Sequence, residues 1–297
     1  MKVAMTGSTG LIGSALRGSL NGDGHQVLRL VSRAPAGSDE VRIDARFPVD
    51  PDLFTDVDVV VNLAGAGVGD HRWTPAYKKI VRNSRLKTTA AVVKALQSAP
   101  PRDRVLVSSS AIGYYGEDCG DTRLTESSPA GTDFLATVSR DWEAATQPAR
   151  AAGVRTVLLR TGLVLDAAGG ALAPLLKLFR LGLGGRIGSG GQFWSTITLE
   201  DHVRAVRFLM ASAGATGAYN LTAPEPATNG AITKALGRGL HRLTPVPVPA
   251  FALKLALGEF SAGVLGSARV IPERLVEADF TFRHPTIDAQ VRAVLAD

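Results

Sequence analysis

The stretch T-G-S-T-G-L-I-G, residues 6–13, decides the fold, because it directly follows an apolar run and opens a helical segment. In such a turn Gly7 allows the tight bend, Gly10 lets a diphosphate approach the backbone, and Gly13 lets helix and strand pack closely. The phosphates then lie at the helix amino terminus, where unpaired N–H groups and the helix dipole favour anions. The stretch therefore predicts a dinucleotide cradle, with cofactor contacts from Gly7, Thr9, Gly10, Leu11, Ile12 and Gly13.

Outward from this stretch, short apolar runs alternate with longer segments of helical periodicity. Strands are expected at Val3–Thr6, Gln26–Val31, Val57–Leu63, Arg104–Ser108 and Val154–Arg160. Helices are expected at Leu11–Leu20, Pro75–Ala99 and Phe134–Ala152. This alternation is typical of an α/β fold with a doubly wound parallel sheet. We assign residues 1–165 to a cofactor-binding domain, to which parts of 192–222 return, and residues 166–297 to a smaller carboxy-terminal substrate domain.

The end of the second strand indicates which dinucleotide binds. An acidic residue there would bind the ribose 2′-hydroxyl of NAD, but the strand ends V-S-R, with Ser32 and Arg33. Arg33 can form charge-assisted bonds to a 2′-phosphate, which favours NADP(H) over NAD(H), although an ordinary solvent-facing arginine is the alternative. Asp44, after a short third strand, could accept from the adenine amino group or be a simple turn residue. Small residues after the fourth strand are expected beside the cofactor, namely Leu63, Ala64 and Gly65.

Composition excludes several functional classes. Of the 297 residues 45% are hydrophobic, which is enough for a substantial core, and the net charge of +6 comes from scattered positions. Scattered charge without interleaved aromatic residues argues against nucleic-acid binding. Cys119 is the only cysteine, and the five histidines lack ligand spacing, so neither a disulfide nor a metal site is expected. No apolar run approaches the roughly 20 residues that span a bilayer, and we expect a cytoplasmic protein.

Several further motifs support one resemblance. They are N-L-A-G-A-G-V from 62 to 68, S-S-S-A-I-G-Y-Y-G from 108 to 116, L-R-T-G-L-V-L from 159 to 165, W-S-T-I-T-L-E-D from 194 to 201, and the tail stretches P-V-P-A-F-A-L-K-L-A-L-G-E and R-V-I-P-E-R-L. With the cradle, they resemble the atypical extended short-chain dehydrogenase/reductases, the nucleoside-diphosphate-sugar epimerase-like proteins with an added carboxy-terminal domain of unknown function. The resemblance covers essentially the whole chain. It implies a Rossmann-like cofactor domain and a smaller domain that closes over it.

The chain departs from this family at its catalytic helix. Active members use a serine or threonine after the fifth strand, with a tyrosine and a lysine on the next helix for proton transfer. When the family pattern is aligned on Glu143, Leu135 stands at the tyrosine position and Ser139 at the lysine position. Arg140 is one residue too late, rotated by about 100° from the expected face. Neither the proton transfer nor the usual hold on the nicotinamide ribose can come from these positions.

Other residues could take over parts of the site. Ser110 matches the family's serine, and Tyr114 or Tyr115 in the same loop could act as the acid/base or merely line the pocket with hydrogen-bonded hydroxyls. Ser108 is expected near the cofactor. Arg160, at a strand end, is expected to contact cofactor or substrate, with a structural ion pair as the alternative. The side chains that suit an anionic or ring-bearing substrate are Arg72, Trp73 and Trp194, of which the last could also be plain core.

Two functions remain open at this point. The first is an NADP-dependent oxidoreductase or epimerase that acts on a small carbonyl or sugar-like substrate, and we favour it because a closing substrate domain needs something to enclose. The second is an NADP-binding regulatory or scaffold protein without catalysis. By analogy with related proteins, a homodimer through the long helices from Pro75 and Phe134 is expected.

Overall fold

A computed structural model of the chain describes residues 1–44, 50–245 and 247–296. Within them the strands are, in chain order, β1 (Lys2–Thr6), β2 (Gln26–Val31), β3 (Glu40–Arg42), β4 (Val59–Asn62), β5 (Val105–Ala111), β6 (Arg123–Leu124), β7 (Arg155–Thr161), β8 (Leu163–Leu165), β9 (Phe193–Trp194), β10 (Thr196–Thr198), β11 (Gly217–Leu221), β12 (Ala227–Thr228) and β13 (Arg269–Val270). The helices are α1 (Leu11–Gly22), α2 (Pro75–Ser98), α3 (Phe134–Ala144), α4 (Gln147–Ala151), α5 (Leu172–Arg180), α6 (Leu199–Ala211), α7 (Asn229–Gly239), α8 (Ala250–Leu257), α9 (Ser261–Leu265), α10 (Glu273–Glu277) and α11 (Ile287–Ala296). Short 3-10 turns cover Pro51–Phe54, Ile112–Tyr115 and Gly258–Phe260.

The main sheet has seven parallel strands in the order β11-β7-β5-β4-β1-β2-β3. β1 lies between β2 and β4, so the strand order reverses beside it. In open α/β sheets, ligands bind at the carboxyl ends of the strands at such a reversal. The predicted α/β fold with a doubly wound parallel sheet is confirmed. The last strand of the sheet, β11, comes from the returning segment and pairs with β7.

Helices cover both faces of the sheet because its strands place apolar side chains on each face. On one face Leu16 of α1 and Leu209 of α6 belong to the buried cluster that contains β1 and β7. On the other face Val92 and Leu96 of α2 pack with Ala149 of α4 over Leu106 and its neighbours. Each such side chain contributes about 1.5–3 kcal/mol by burial. The two clusters hold the carboxyl edge of the sheet in a fixed geometry.

The helix predicted at 134–152 is two helices, α3 and α4, separated at Ala145 and Thr146. The Thr146 hydroxyl donates to the Glu143 carbonyl at 2.7 Å, and Pro148 near the start of α4 has no N–H for an intrahelical bond. At the other end, the Asp133 carboxylate caps α3 by accepting from the Ala136 N–H at 3.0 Å. This capping fixes where α3 begins.

The carboxy-terminal segment packs onto the loop between β4 and α2. The Phe260 ring lies 5.4 Å from the Trp73 ring, and Lys78 of α2 forms an ion pair with Glu259. Trp194 of β9 donates from Nε1 to the Val264 carbonyl at 3.2 Å. These contacts join the carboxy-terminal segment to α2, to the loop before it and to β9. Among the described helices, none has the length and apolar character needed to cross a membrane.

Candidate cofactor and active site

The cradle after β1 has the geometry that a dinucleotide requires. Gly7 has φ +67°, and a Cβ there would lie 2.8 Å from the Leu63 carbonyl carbon. A Cβ on Gly13 would lie 2.1 Å from the Gly7 oxygen, so a side chain would force the backbone apart. At Gly10 a Cβ would meet the protein only at 3.5 Å, so the packing of the protein itself tolerates a side chain there. The absent side chain at Gly10 instead leaves space on the ligand side.

The amino terminus of α1 is available to an anion. Gly10 is its N-cap and brings no side-chain cap, so the first N–H groups of the helix have no capping partner. Thr9 is exposed, while Leu11 and Ile12 are half-buried at the same edge. The cradle residues therefore fit the diphosphate of NAD(P).

A buried polar network fastens the cradle to the end of β4. The Thr6 hydroxyl donates to Asn62 Oδ1 at 2.8 Å and accepts from the N–H groups of Leu63 and Ala64 at 3.1 and 3.2 Å. Asn62 Nδ2 in turn donates to the hydroxyl of Ser108 at 3.1 Å. Ser108 is fully buried, at 0% exposure, and its place near the cofactor stays a prediction. Its role is to hold β4 against β5.

Arg33 lies two residues beyond β2, with its guanidinium bound to a buried carboxylate. Its two terminal nitrogens donate to the two oxygens of Glu40, both at 2.7 Å. Bonds from Arg33 and from the Ala36 N–H lower the pKa of Glu40 to about 2, and Arg29 adds a second ion pair at 2.9 Å. The side chain of Glu40 is 1% exposed, whereas that of Arg33 is 54% exposed. Glu40 thus holds the Arg33 guanidinium in place, while about half of the Arg33 side chain stays exposed to solvent.

The other predicted adenosine-side residues lie nearby along the same edge. Ser32 is exposed directly before Arg33. Asp44 is half-buried, and one of its oxygens lies 3.7 Å from Arg42 Nη2. A contact with the adenine amino group stays a prediction for Asp44, and a contact with the cofactor stays one for Ser32.

Ser110 at the end of β5 belongs to a buried ion-pair network. Its hydroxyl donates to Glu143 Oε1 at 2.6 Å, and it is 3% exposed. Arg160 donates to both oxygens of the same carboxylate, from Nε at 2.8 Å and from Nη2 at 2.9 Å. Arg160 is 4% exposed, so of the two alternatives the structural ion pair describes it. Ser110 can still accept a hydrogen bond, but its proton is committed to Glu143.

Tyr115 is part of the same network, and its surroundings favour the second of the two predicted alternatives, a pocket wall with a hydrogen-bonded hydroxyl. Its hydroxyl donates to Asn220 Oδ1 at 2.7 Å and accepts from Arg160 Nη1 at 3.0 Å. Burial raises its pKa to about 12, against a smaller lowering by Arg160. Tyr115 is 4% exposed, and its hydroxyl is already bonded on both sides within the protein.

Tyr114 differs from its neighbour. It is half-buried, and its hydroxyl has no hydrogen-bond partner in the described parts of the chain. Its ring lies against the Arg160 guanidinium, with Cζ 3.5 Å from the ring centroid, and meets the Tyr115 ring edge-on at 5.4 Å. The ring is therefore fixed while the hydroxyl stays available.

Leu135 and Ser139, the two α3 positions predicted to depart from the family pattern, lie against the loop after β5. A Cβ on Gly113 would lie 3.3 Å from Leu135 Cβ and 3.9 Å from the Ser139 hydroxyl oxygen. Ser139 is 3% exposed. The loop after β5 thus lies directly on this part of α3, where Leu135 is half-buried.

The three predicted substrate residues differ in their surroundings, and a contact with substrate stays a prediction for each. Trp73 is 7% exposed, donates from Nε1 to the Val68 carbonyl at 2.8 Å, and packs between Phe134 and Phe260. Trp194 lies in a separate cluster with α5 and α7. Arg72 is exposed, and its Nε lies 2.9 Å from where a Cβ of Gly258 would be. Of the three, Arg72 alone presents a charged group at the surface.

Sequence reasoning missed three residues that shape this edge, which are Glu40, Arg85 and Asn220. Glu40 and Asn220 are buried polar residues at or near strand ends, and no local motif distinguishes them from ordinary strand positions. Arg85 interrupts the amphipathic pattern of α2 and packs against Trp142, with Cζ 5.0 Å from the ring. That interruption was a usable signal. Within the described ranges, no group of three metal-ligating side chains lies close together.

Two family profiles match the sequence. The profile described as NAD dependent epimerase/dehydratase family covers residues 3–222, and one described as a domain of unknown function covers residues 248–294. An epimerase family protein of Mycobacterium bovis, Mb2239, is 46% identical over 287 residues, with 96% of this chain and 94% of that protein covered. The resemblance seen in the motifs is confirmed.

Solved structures agree with the profiles. The crystal structure of human epimerase family protein SDR39U1 (isoform2) with NADPH has a TM-score of 0.90 at 30% identity, with 100% of each chain covered. A nucleoside-diphosphate sugar epimerase from Corynebacterium glutamicum has a TM-score of 0.82 at 35% identity, with 99% of this chain and 58% of that one covered.

Proposed function

The chain belongs to the NAD-dependent epimerase/dehydratase family, and from that premise we propose that it is an NADP(H)-dependent oxidoreductase or epimerase acting on a small carbonyl or sugar-like substrate. One observation carries the proposal: among the described residues, the hydroxyl of Tyr114 in the S-A-I-G-Y-Y-G loop has no hydrogen-bond partner. A fixed ring with an available hydroxyl is what proton transfer to a bound substrate needs.

The proposed preference for NADP(H) rests on Arg33 and its partner Glu40. The carboxylate nearest to Arg33, that of Glu40, is buried and already accepts bonds from Arg33 and Ala36, so it cannot accept from a ribose hydroxyl. The open side of Arg33 suits a 2′-phosphate instead. The similar human protein was crystallised with NADPH, which supports the same choice.

The mechanism follows from what each side chain can still do. Bound NADPH would supply the hydride that a carbonyl carbon receives. Tyr114 would donate its hydroxyl proton to the carbonyl oxygen, and Ser110 could not donate a second proton because Glu143 already accepts it. Arg160 keeps the Tyr114 ring oriented through the contact at 3.5 Å. In the reverse direction Tyr114 would accept the alcohol proton.

A second function, an NADP-binding regulatory protein without catalysis, is favoured by one specific observation. Gly113 packs on Leu135 and Ser139, so the positions of the usual acid/base pair are filled by the fold itself. Both functions need the cradle, and they differ only in whether bound NADPH is consumed.

The deciding experiment adds a panel of small aldehydes, ketones and 2-oxo acids to the protein saturated with NADPH and follows absorbance at 340 nm. We expect oxidation with at least one compound, and we expect Tyr114→Phe to lower kcat by about 10²–10⁴-fold while Tyr115→Phe retains a measurable part of it. Tight NADPH binding without turnover by any compound would favour the regulatory function.

We further propose a cytoplasmic location and a homodimer that pairs through α2 and α3. The single half-buried Cys119 agrees with a reducing compartment, and the exposed Ile80 lies on α2. Light scattering of the purified chain would return the monomer mass if the homodimer were wrong.

A further inference from the structure

Arg85 on α2 lies next to the cofactor cradle, although none of the motifs points to it. A Cβ on Gly65 would lie 3.2 Å from the Arg85 Cζ. Gly65 follows Leu63 and Ala64 in the chain. A Cβ on Gly7 would lie 2.8 Å from the Leu63 carbonyl carbon and 2.9 Å from the Ala64 nitrogen. The guanidinium is therefore at the edge of the sheet where β1 and β4 end.

The opposite face of the same guanidinium lies on α3. Its Cζ is 5.0 Å from the centre of the Trp142 ring, within the range of a cation–π contact. Trp142 is three residues beyond Ser139, and residues three apart lie on one helix face. Arg85 thus brings a positive charge to within about one helical turn of the position where the family carries its lysine.

Only part of this guanidinium is used by the protein. Nη1 donates to the carbonyls of Ala66 and Val81 at 2.9 and 3.0 Å. An arginine has five N–H donors, so three remain on Nε and Nη2, and none of them has an acceptor in the described residues. Over the same residues, the buried side-chain atoms without partners are His202 Nδ1 and Gln290 Nε2, so the two Arg85 nitrogens keep contact with solvent.

The charge of Arg85 is also uncompensated, unlike the charges of Arg33 and Arg160. Burial lowers its pKa, and no carboxylate among the described residues pairs with it. Fastening the nearby loop does not require three spare donors, because Ser84 accepts from the Ala66 N–H at 3.0 Å and Tyr77 donates to the Gly67 carbonyl at 2.5 Å. A half-buried cation with unpartnered donors favours an oxyanion as its ligand.

We propose that Arg85 binds an oxyanion at the cofactor edge through Nε and Nη2. The anion is a carboxylate of the substrate or the diphosphate of the cofactor, which share this chemistry. The inference deepens the proposed function and rests on it for the substrate, because a carboxylate ligand would restrict the substrate to oxo or hydroxy acids.

The experiment compares the full-length wild-type chain with Arg85→Gln and with Arg82→Gln as a matched control. Arg82 lies on the same helix and bridges to Asp141 of α3 at 2.9 Å, but 47% of its side chain is exposed. Calorimetry would give the Kd of NADPH, of pyrophosphate, and of oxalate added to the protein with and without saturating NADPH. Thermal melting would report the fold of each variant.

We expect Arg85→Gln to weaken the binding of oxalate, or that of NADPH and pyrophosphate, by about tenfold or more, as for a lost charge-assisted bond. Arg82→Gln should change none of these affinities by more than about twofold. Weaker oxalate binding with unchanged NADPH affinity would assign the substrate carboxylate. Weaker binding of NADPH and pyrophosphate would assign the diphosphate. A folded Arg85→Gln with all affinities unchanged overturns the inference.

A second measurement uses the wild type and does not depend on a variant that folds. Phenylglyoxal modification, mapped by mass spectrometry, should be slowed at Arg85 by saturating oxalate or NADPH and unaffected at the exposed Arg150 of α4. Equal modification of Arg85 with and without both ligands would overturn the inference. If the wild type fails to bind NADPH but oxalate still protects Arg85 from modification, the proposed function is wrong and the oxyanion site at Arg85 is supported.

Discussion

The cradle after β1 and the loop after β5 lie at the same sheet edge, yet they are built differently. In the cradle the function depends on the absence of side chains, as at Gly13, where a Cβ would lie 2.1 Å from the Gly7 oxygen. In the loop after β5, Ser110 and Tyr115 are both bound into the network around Arg160. The comparison teaches that the cradle depends on backbone geometry, whereas two polar side chains of the loop after β5 are bound into the fold.

The largest effect should come from breaking the buried pair on which that contrast depends. Arg160→Met would leave Glu143 charged and without its bidentate partner in a site where the two side chains are 5% and 11% exposed. We expect a loss of about 3–5 kcal/mol in the free energy of unfolding, measured by urea denaturation. The exposed pair of Arg82 and Asp141 is the control, and Arg82→Met should cost no more than about 1 kcal/mol. Equal losses would mean that the network does not stabilise the fold.

The cradle is tested by adding one carbon atom. Gly13→Ala places a Cβ 2.1 Å from the Gly7 oxygen, so the turn must open. The backbone of the turn then no longer fits the diphosphate. We expect the Kd for NADPH to rise by about 100-fold, or about 2.7 kcal/mol, by calorimetry. Gly18→Ala, on the same helix with nothing within 4 Å, should leave the Kd unchanged. Unchanged binding in Gly13→Ala would show that the cradle is not the cofactor site.

The pH dependence of stability separates the two loop tyrosines. Burial raises the pKa of Tyr115 to about 12 in the folded chain, against about 10 when unfolded. The resulting stability is complete below pH 10 and is lost as the pH rises through 12, on the order of 2 kcal/mol. Tyr115→Phe should remove this loss between pH 10 and 12, and Tyr114→Phe should not. Identical alkaline profiles for the two variants would contradict the burial of Tyr115.

The smallest expected effect concerns the choice of cofactor. Arg33→Met should raise the Kd for NADPH by about tenfold and leave the Kd for NADH within twofold, because only NADPH carries the 2′-phosphate. Arg150→Met, on the distant α4, controls for the change in net charge. A parallel loss for both cofactors would mean that Arg33 acts through the Glu40 pair and not through the phosphate.

The sequence predicted what depends on backbone pattern and missed what depends on side chains meeting across the fold. The alternation of strands and helices and the turn at residues 6–13 predicted the doubly wound sheet, because both are local. The bond from Ser110 to Glu143 joins residues 33 positions apart, and that from Tyr115 to Asn220 joins residues 105 apart. Such partners are set by tertiary packing, which is why Tyr115 could not be told from Tyr114 beforehand.

Substrate residues were harder to predict for a similar reason. An indole is recognisable as a binding group or as core only by its neighbours, and Trp73 has Phe134 and Phe260 on either side. Arg85 escaped notice because its relevance comes from Gly65 and Trp142, which lie 20 positions before it and 57 after it.

The central claim is that the intact cradle binds NADP(H) in preference to NAD(H), and one titration tests it most directly. Calorimetry of the wild-type chain with NADPH and with NADH should give a Kd at least about tenfold lower for NADPH, as one charge-assisted phosphate contact provides. Equal affinities, or no binding of either cofactor, would contradict the account.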